Sequence, residues 1–181
     1  MSGTKKAIDL SAEFLETFLS TIDEKNEKEI VRQIVKRFVD CGLHVKAKQY
    51  DQPCMEGIFR ILCFIKKSAE AVIINNKGMG RDGMSIQVRI DDRGTLDKID
   101  SFSQNIKNQI LNAGNCGYCS SKCESKKYMF IYQEKEYIKC HFLCNNFSFQ
   151  NIDKNDIGSI MDIINNEIAY KQPAQNKHFI R

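Results

Sequence analysis

Residues 57–90, GIFRILCFIKKSAEAVIINNKGMGRDGMSIQVRI, decide the fold class of this chain. Three segments within them, 57–66, 71–75 and 84–90, are rich in β-branched and aromatic residues and alternate in part between apolar and polar positions. The polar KKSAE and the glycine-rich NKGMGRDG separate these segments, as expected of connections between strands. Together with the preceding segment 43–50, LHVKAKQY, the pattern predicts an antiparallel sheet of three to four strands.

Two helices are predicted before the sheet. Residues 8–22 carry apolar side chains at helical spacing, and Ser11 is available as the N-cap. Residues 30–39 repeat apolar side chains at i, i+1, i+4 and i+5, and Gly42 is well placed to end this helix at the C′ position. The sequence therefore predicts an N-terminal helical pair.

A connecting helix and a C-terminal helix are predicted after the sheet. The stretch 95–114 reads as a broken helix, with Thr95 capping its first turn, Ser103 capping its second half and Gly114 stopping it. Residues 151–171 form an amphipathic pattern, for which Asp153 or Asn155 is the expected start. Its predicted apolar stripe consists of Ile157, Ile160, Met161, Ile164 and Ile168.

Five of the eight cysteines lie within residues 115–147. They are Cys116, Cys119, Cys123, Cys140 and Cys144. The segment 127–140, KYMFIYQEKEYIKC, predicts a β-hairpin with a polar turn near residues 133–135. Four of the cysteines are spaced as C-x2-C, twenty residues and C-x3-C, which places one thiol pair before the hairpin and one after it. Since Zn²⁺ prefers four thiolates in tetrahedral geometry, this spacing predicts a structural zinc site.

The first-choice ligands are Cys116, Cys119, Cys140 and Cys144, and the module that they define resembles a zinc ribbon, a fold of two cysteine knuckles and a hairpin. The resemblance covers about 30 of the 181 residues. The module departs from that family in its second knuckle, which has three intervening residues, and in the additional Cys123. Cys123 is thus either a replacement for one of the four ligands or a spare thiol.

The same stretch is similar to a family of small proteins from low-GC Gram-positive bacteria. In that family a C-x2-C-x3-C segment precedes a short hairpin and a cysteine-containing turn that leads to NNF. Here the pattern corresponds to Cys116, Cys119 and Cys123, then Cys140 and Cys144, then residues 145–147. The resemblance implies that Cys123 belongs to the pattern, and it supplies no activity.

Two other functions for the cysteine-rich segment stay open. Cys116 and Cys119 form C-x-x-C, which lowers a thiol pKa in redox proteins, although the usual strand and helix around such a motif are not predicted here. A nucleic-acid-binding ribbon is the second alternative, because five lysines and three glutamates within 116–144 give a net charge of +2. Aromatic residues interleave with these lysines, and they would either stack on bases or pack the hairpin onto a helix: Tyr118, Tyr128, Phe130, Tyr132 and Tyr137.

Outside this segment the candidate functional residues are few. Cys41, Cys54 and Cys63 are expected to be core residues, since free cysteine packs as a small hydrophobe. His44 and His178 are expected at the surface, and His141 is a further candidate metal ligand. Asp91 and Asp92 are interpreted as a solvated turn rather than as paired catalytic carboxylates. The alternating apolar residues of 59–65 and 84–90 either fill a core or line a cleft that binds a small-molecule ligand.

The composition restricts location and function class. A net charge of +4 is too mild to indicate nucleic-acid binding by itself, and no apolar run reaches the ~18–20 residues that span a bilayer. The N-terminus turns acidic after two lysines, so no signal peptide and a cytoplasmic location are expected. No catalytic motif is present, which favours a binding or regulatory protein over an enzyme.

The predicted architecture is α+β, with the helical pair, the sheet, the connecting helix, a zinc-binding hairpin and the C-terminal helix in that order. Three units are predicted: an α+β domain at residues 1–114, a cysteine-rich zinc-binding module at 115–147, and a C-terminal helix at 148–181 that packs on the first domain.

Overall fold

A computed structural model describes residues 8–50, 57–66, 69–77, 83–113, 127–140 and 146–172. The strands in these ranges are β1 (Ile8–Asp9), β2 (His44–Gln49), β3 (Phe59–Lys66), β4 (Ala69–Asn75), β5 (Ser85–Arg89), β6 (Lys127–Tyr132), β7 (Lys135–Cys140) and β8 (Asn146–Phe149). The helices are α1 (Ala12–Ser20), α2 (Lys25–Asp40), α3 (Arg93–Leu96), α4 (Gln104–Asn112) and α5 (Asp156–Lys171), with a 3-10 turn at Ile99–Ser101. The predicted α+β class is confirmed.

The main sheet has six antiparallel strands in the order β1-β2-β3-β4-β5-β8, and β6 and β7 form a separate hairpin. The four strands predicted from sequence form its centre, while the two edge strands exceed the prediction of three to four. At the first edge, Ile8 pairs with Ala47, so a segment interpreted as the start of a helix begins as a two-residue strand. At the other edge, Phe147 pairs with Val88, so β8 lies across the proposed unit boundary at residue 147.

The core lies on one face of this sheet. Cross-strand partners such as Ile61 with Ile74 and Ile86 with Phe149 point to the same face because side chains alternate along a strand. Ile61, Ile74, Ile86 and Phe149 are fully buried and belong to one cluster with the apolar faces of α2, α4 and α5. The alternating residues of β3 and β5 therefore belong to the core, apart from the half-buried Phe59, and one of them, Ile65, also lines a small cavity at the end of the sheet.

The ends of the first two helices follow the sequence signals. The Ser11 side chain accepts a hydrogen bond from the backbone N–H of Phe14, which confirms it as the N-cap of α1. Gly42 adopts φ +65°, and its N–H bonds the carbonyl of Val39 while the N–H of Leu43 bonds that of Phe38. These two bonds form a Schellman motif, as predicted from the position of Gly42.

The connecting segment is broken as predicted, but its first cap is different. Asp92, and not Thr95, caps α3, because its carboxylate accepts a hydrogen bond from the N–H of Gly94. Thr95 is completely buried one turn later, and its hydroxyl lies 3.4 Å from the same carboxylate. Ser103 caps α4 by accepting from the N–H of Ile106, which confirms that prediction. Gly114 lies outside the described residues.

The start of α5 is fixed by a buried carboxylate. Asp156 is 1% exposed and accepts hydrogen bonds from the Ser103 hydroxyl, the Asn105 side-chain amide and the backbone N–H of Asp153. Of the two predicted start residues, Asp153 accepts from the N–H of Asn155, and Asn155 occupies the N-cap position without a side-chain bond. The network joins the start of α5 to the N-terminal end of α4.

Candidate metal site at the open end of a hairpin

The predicted hairpin is present, with β6 and β7 paired over six residues each. Its two-residue turn consists of Gln133 at φ +48° and Glu134 at φ +62°. Positive φ at both positions is the type I′ geometry, whose twist matches that of the two strands. This turn usually carries Asn-Gly, so two ordinary side chains are held here in the left-handed region.

The inner face of the hairpin packs on the body of the protein. Phe130 is buried in the core cluster, and its ring stacks on that of Tyr137 with centroids 5.0 Å apart and planes 9° apart. Tyr132 and Tyr137 are partly buried against the same cluster. These three aromatic residues therefore serve packing, which was the alternative to base stacking. The side chain of Tyr128 and the whole of Tyr118 lie outside the described residues.

A polar cluster fastens the turn end of the hairpin to the helices. Lys107 Nζ lies 2.7 Å from Asp100 Oδ1, and the Tyr132 hydroxyl donates to the same carboxylate at 2.7 Å. The hydrogen bond from Lys107, followed by that from Tyr132, holds the pKa of Asp100 below its usual range. The same contacts with Asp100 and Tyr132 raise the pKa of Lys107. The hairpin is thus attached to α4 and to the 3-10 turn before it.

The open end of the hairpin is where the sequence concentrates its cysteines. Cys140 is the last residue of β7 and pairs with Lys127, the first residue of β6. In sequence, Cys123 lies four residues before Lys127, and Cys144 lies four residues after Cys140. Both cysteine-bearing segments are therefore joined covalently to one end of a single hairpin.

Most of the predicted ligand set lies outside the described residues. This applies to Cys116, Cys119, Cys123 and Cys144, to the neighbouring His141, and to the side chain of Cys140. Within the ranges that the structure describes, no group of three or more His, Cys, Asp or Glu side chains is arranged to hold a metal ion.

The burial of the other cysteines and histidines matches the prediction at the positions that the structure describes. Cys63 is completely buried in β3, and burial raises the pKa of its thiol. Cys41 is partly buried at the C-cap of α2 and packs against the core. His44 is exposed at the start of β2. Cys54 and His178 fall outside the described ranges.

An ion-pair cluster at the C-terminal end of α5 was not predicted. Lys171 Nζ lies 2.9 Å from Asp91 Oδ2 and 3.0 Å from Glu167 Oε2. The contact with Glu167 is an ion pair only, because its geometry does not meet that of a hydrogen bond. Asp91 also receives Arg89 Nε at 3.2 Å, and Glu167 accepts from the backbone N–H of Asp92 at 2.9 Å. Asp91 and Asp92 lie in a partly exposed turn, as interpreted, but they are also held against α5, which the sequence did not indicate.

Burial and the neighbouring cations shift the pKa of Asp91 in opposite directions. Burial favours its neutral form and raises the pKa, while the hydrogen bonds and charges of Lys171, followed by those of Arg89, lower it. The interactions with the cations prevail, so the pKa of Asp91 lies below its usual range. One signal was available in the sequence, since Glu167 and Lys171 have the i, i+4 spacing of a helical ion pair.

Comparisons of the chain with protein-family models, with curated proteins and with solved structures find no match. None of the helices in the described ranges is long and apolar enough to cross a membrane. The candidate site therefore has to be interpreted from its own residues.

Proposed function

We propose that this chain is a cytoplasmic, zinc-containing binding or regulatory protein whose hairpin is stabilised by a structural site of four cysteine thiolates. The observation that carries the proposal is the pairing of Cys140 with Lys127 at the open end of the hairpin. From this pair the chain continues in both directions into segments that contain the other cysteines of the cluster.

The chemistry of the donor set fits Zn²⁺. Two pairs of thiols, Cys116 with Cys119 and Cys140 with Cys144, would supply four thiolates at about 2.3 Å, and Cys123 is the alternative fourth ligand. A tetrathiolate site carries a net charge of about −2, and the neighbouring lysines would offset it. These are Lys122, Lys126, Lys127 and Lys139.

A metal would supply stability that the packing of the hairpin provides only in part. Among the β6 and β7 side chains that the structure describes, Phe130 alone is buried, while Met129 and Ile131 are exposed. A two-stranded hairpin is marginally stable in water unless other contacts hold it. Metal binding contributes folding free energy directly, so a site at the open end would fix the strands opposite the polar contacts of the turn.

Cobalt titration tests this assignment, because Co²⁺ bound by four thiolates gives intense visible bands that octahedral Co²⁺ lacks. The expected result is one equivalent bound by the wild type with thiolate bands, and loss of these bands in Cys140→Ser. Cys41→Ser is the matched control, since Cys41 lies at the end of α2 and should leave the spectrum unchanged. A Cys140→Ser spectrum equal to that of the control contradicts the proposal.

A further inference from the structure

The sheet contains a gap between β4 and β5. Their last described pair at this end is Val72 with Val88, and beyond it the start of β4 and the end of β5 are not paired. A cavity of about 160 Å³ occupies this gap. It is lined by Ile65, Lys66, Glu70, Ala71, Arg89, Asp91 and Lys171.

The floor of the cavity is charged and rigidly built. The Lys171 side chain is 10% exposed and contacts two carboxylates, those of Asp91 and Glu167. Arg89 contacts Asp91 through Nε, and its terminal Nη groups form no hydrogen bond with any residue in the described ranges. Among the described residues, Lys171 and Arg89 thus face the carboxylates of Asp91 and Glu167, and the edge of the guanidinium that carries the Nη groups remains available to a ligand.

Among the described residues, the rim of the cavity adds one positive and one negative side chain. Lys66 and Glu70 are both exposed, and neither forms an ion pair with another residue that the structure describes. Ile65 and Ala71, in contrast, are buried and form an apolar wall. The cavity therefore presents cationic donors, a carboxylate and a small apolar surface side by side.

The volume of this partly open cavity allows it to enclose only a small molecule. A cavity of about 150 Å³ accommodates benzene, a ligand of about six non-hydrogen atoms, whereas pockets for drug-sized ligands start at about 300 Å³. Nucleotides and peptides of several residues are too large to be enclosed. A simple carboxylate fits by size, but it would leave Glu70 as an unbalanced negative charge next to the ligand.

We propose that this gap binds a small free α-amino acid, with its carboxylate on the Nη groups of Arg89 and its ammonium group on Glu70. Arg and a carboxylate form paired, parallel hydrogen bonds, which fix the orientation of the ligand. Lys66 adds a second positive charge near the carboxylate, and Ile65 and Ala71 contact a short side chain. This site is argued separately from the proposed zinc site, since none of the described residues that line it belongs to the hairpin.

Isothermal titration calorimetry with L-alanine, and with acetate as the half-ligand, tests the proposal on the full-length protein. Saturable binding of L-alanine with a Kd in about the millimolar range or tighter is expected, with acetate at least ~10-fold weaker. Glu70→Gln should weaken L-alanine at least ~10-fold without weakening acetate. Arg89→Lys keeps the charge beside Asp91 but removes the planar fork, and should weaken both ligands.

Arg93→Gln is the matched control, because Arg93 is exposed on α3 and does not line the cavity. Equal melting temperatures of Glu70→Gln and the wild type would establish that the rim variant is folded. The absence of saturable L-alanine binding by the wild type overturns the proposal. Acetate binding as tight as that of L-alanine, or Glu70→Gln behaving like Arg93→Gln, also overturns it.

Discussion

Replacing Asp156 by alanine is expected to destabilise the protein by about 3–5 kcal/mol. The carboxylate is 1% exposed and accepts three hydrogen bonds, at 2.7 Å from Asn105 and 3.0 Å from the backbone of Asp153, besides that from Ser103. Each hydrogen bond to a charged group contributes about 1.5–3 kcal/mol, and the substitution leaves three donors without their acceptor. Because water entering the space satisfies part of these donors, the expected loss of stability is below the sum of the three contributions, at about 3–5 kcal/mol.

Urea denaturation followed by circular dichroism measures this loss, and a melting temperature lower by about 10 °C should accompany it. Asp156→Asn keeps one acceptor oxygen and should lose less than the alanine variant. Asp162→Ala, at an exposed position of the same helix, is the control and should change the stability by less than about 0.5 kcal/mol. If Asp156→Ala lost no more than this control, the assignment of a buried structural carboxylate would be refuted.

Local geometry supports three further predictions. Glu134→Gly should stabilise the protein by about 0.5–1 kcal/mol in urea denaturation, since glycine tolerates φ +62°. Glu136→Gly, within β7, should destabilise it by a similar amount. The reverse order of the two variants would contradict the turn geometry. When native protein is treated with iodoacetamide at about pH 8, peptide mass spectrometry should find Cys63 unmodified and Cys41 modified. The reason is that Cys63 is fully buried and the pKa of its thiol is raised, whereas Cys41 is only partly buried. Equal reaction rates of the two thiols would be inconsistent with this burial. The pKa of Asp91 is lowered in the native state, so Asp91 contributes stability above its usual pKa near 3.8, and this stability is lost as the pH falls through the native pKa. Between about pH 5 and pH 2.5, the urea midpoint of Asp91→Asn should therefore fall less than that of the wild type. Equal pH dependence of the two midpoints would argue against the ion pairs.

The features that sequence predicted are those with local causes. The central strands alternate over five to eight residues, and the end of α2 needs only a glycine that tolerates φ +65°. The hairpin was also predicted, although its turn contains Gln133 and Glu134 instead of the usual glycine, because the alternation of both strands was clear. The two-residue β1 and the four-residue β8 were missed, since such short segments carry too little periodicity to distinguish them from a helix start or a loop.

The features that sequence did not predict depend on partners far along the chain. Asp156 contacts Ser103, 53 residues away, and Glu167 accepts from Asp92, 75 residues away. Neither contact has a local pattern, and the apolar stripe predicted for α5 gave no reason to expect carboxylates within it. Thr95 and Asp92 are both good N-cap residues; the structure selects Asp92, whose carboxylate accepts from the N–H of Gly94, while Thr95 lies buried within α3. The cysteine cluster was identified by spacing alone, and its ligand set stays a prediction.

The most direct test of the proposed zinc site is the metal content of untagged protein purified without chelator, measured by elemental mass spectrometry together with native thiol counting. About one zinc per chain is predicted, with four of the eight thiols protected until EDTA is added. Absence of metal, together with rapid reaction of Cys116 and Cys119, would contradict the account and would favour a redox function for the same cysteines.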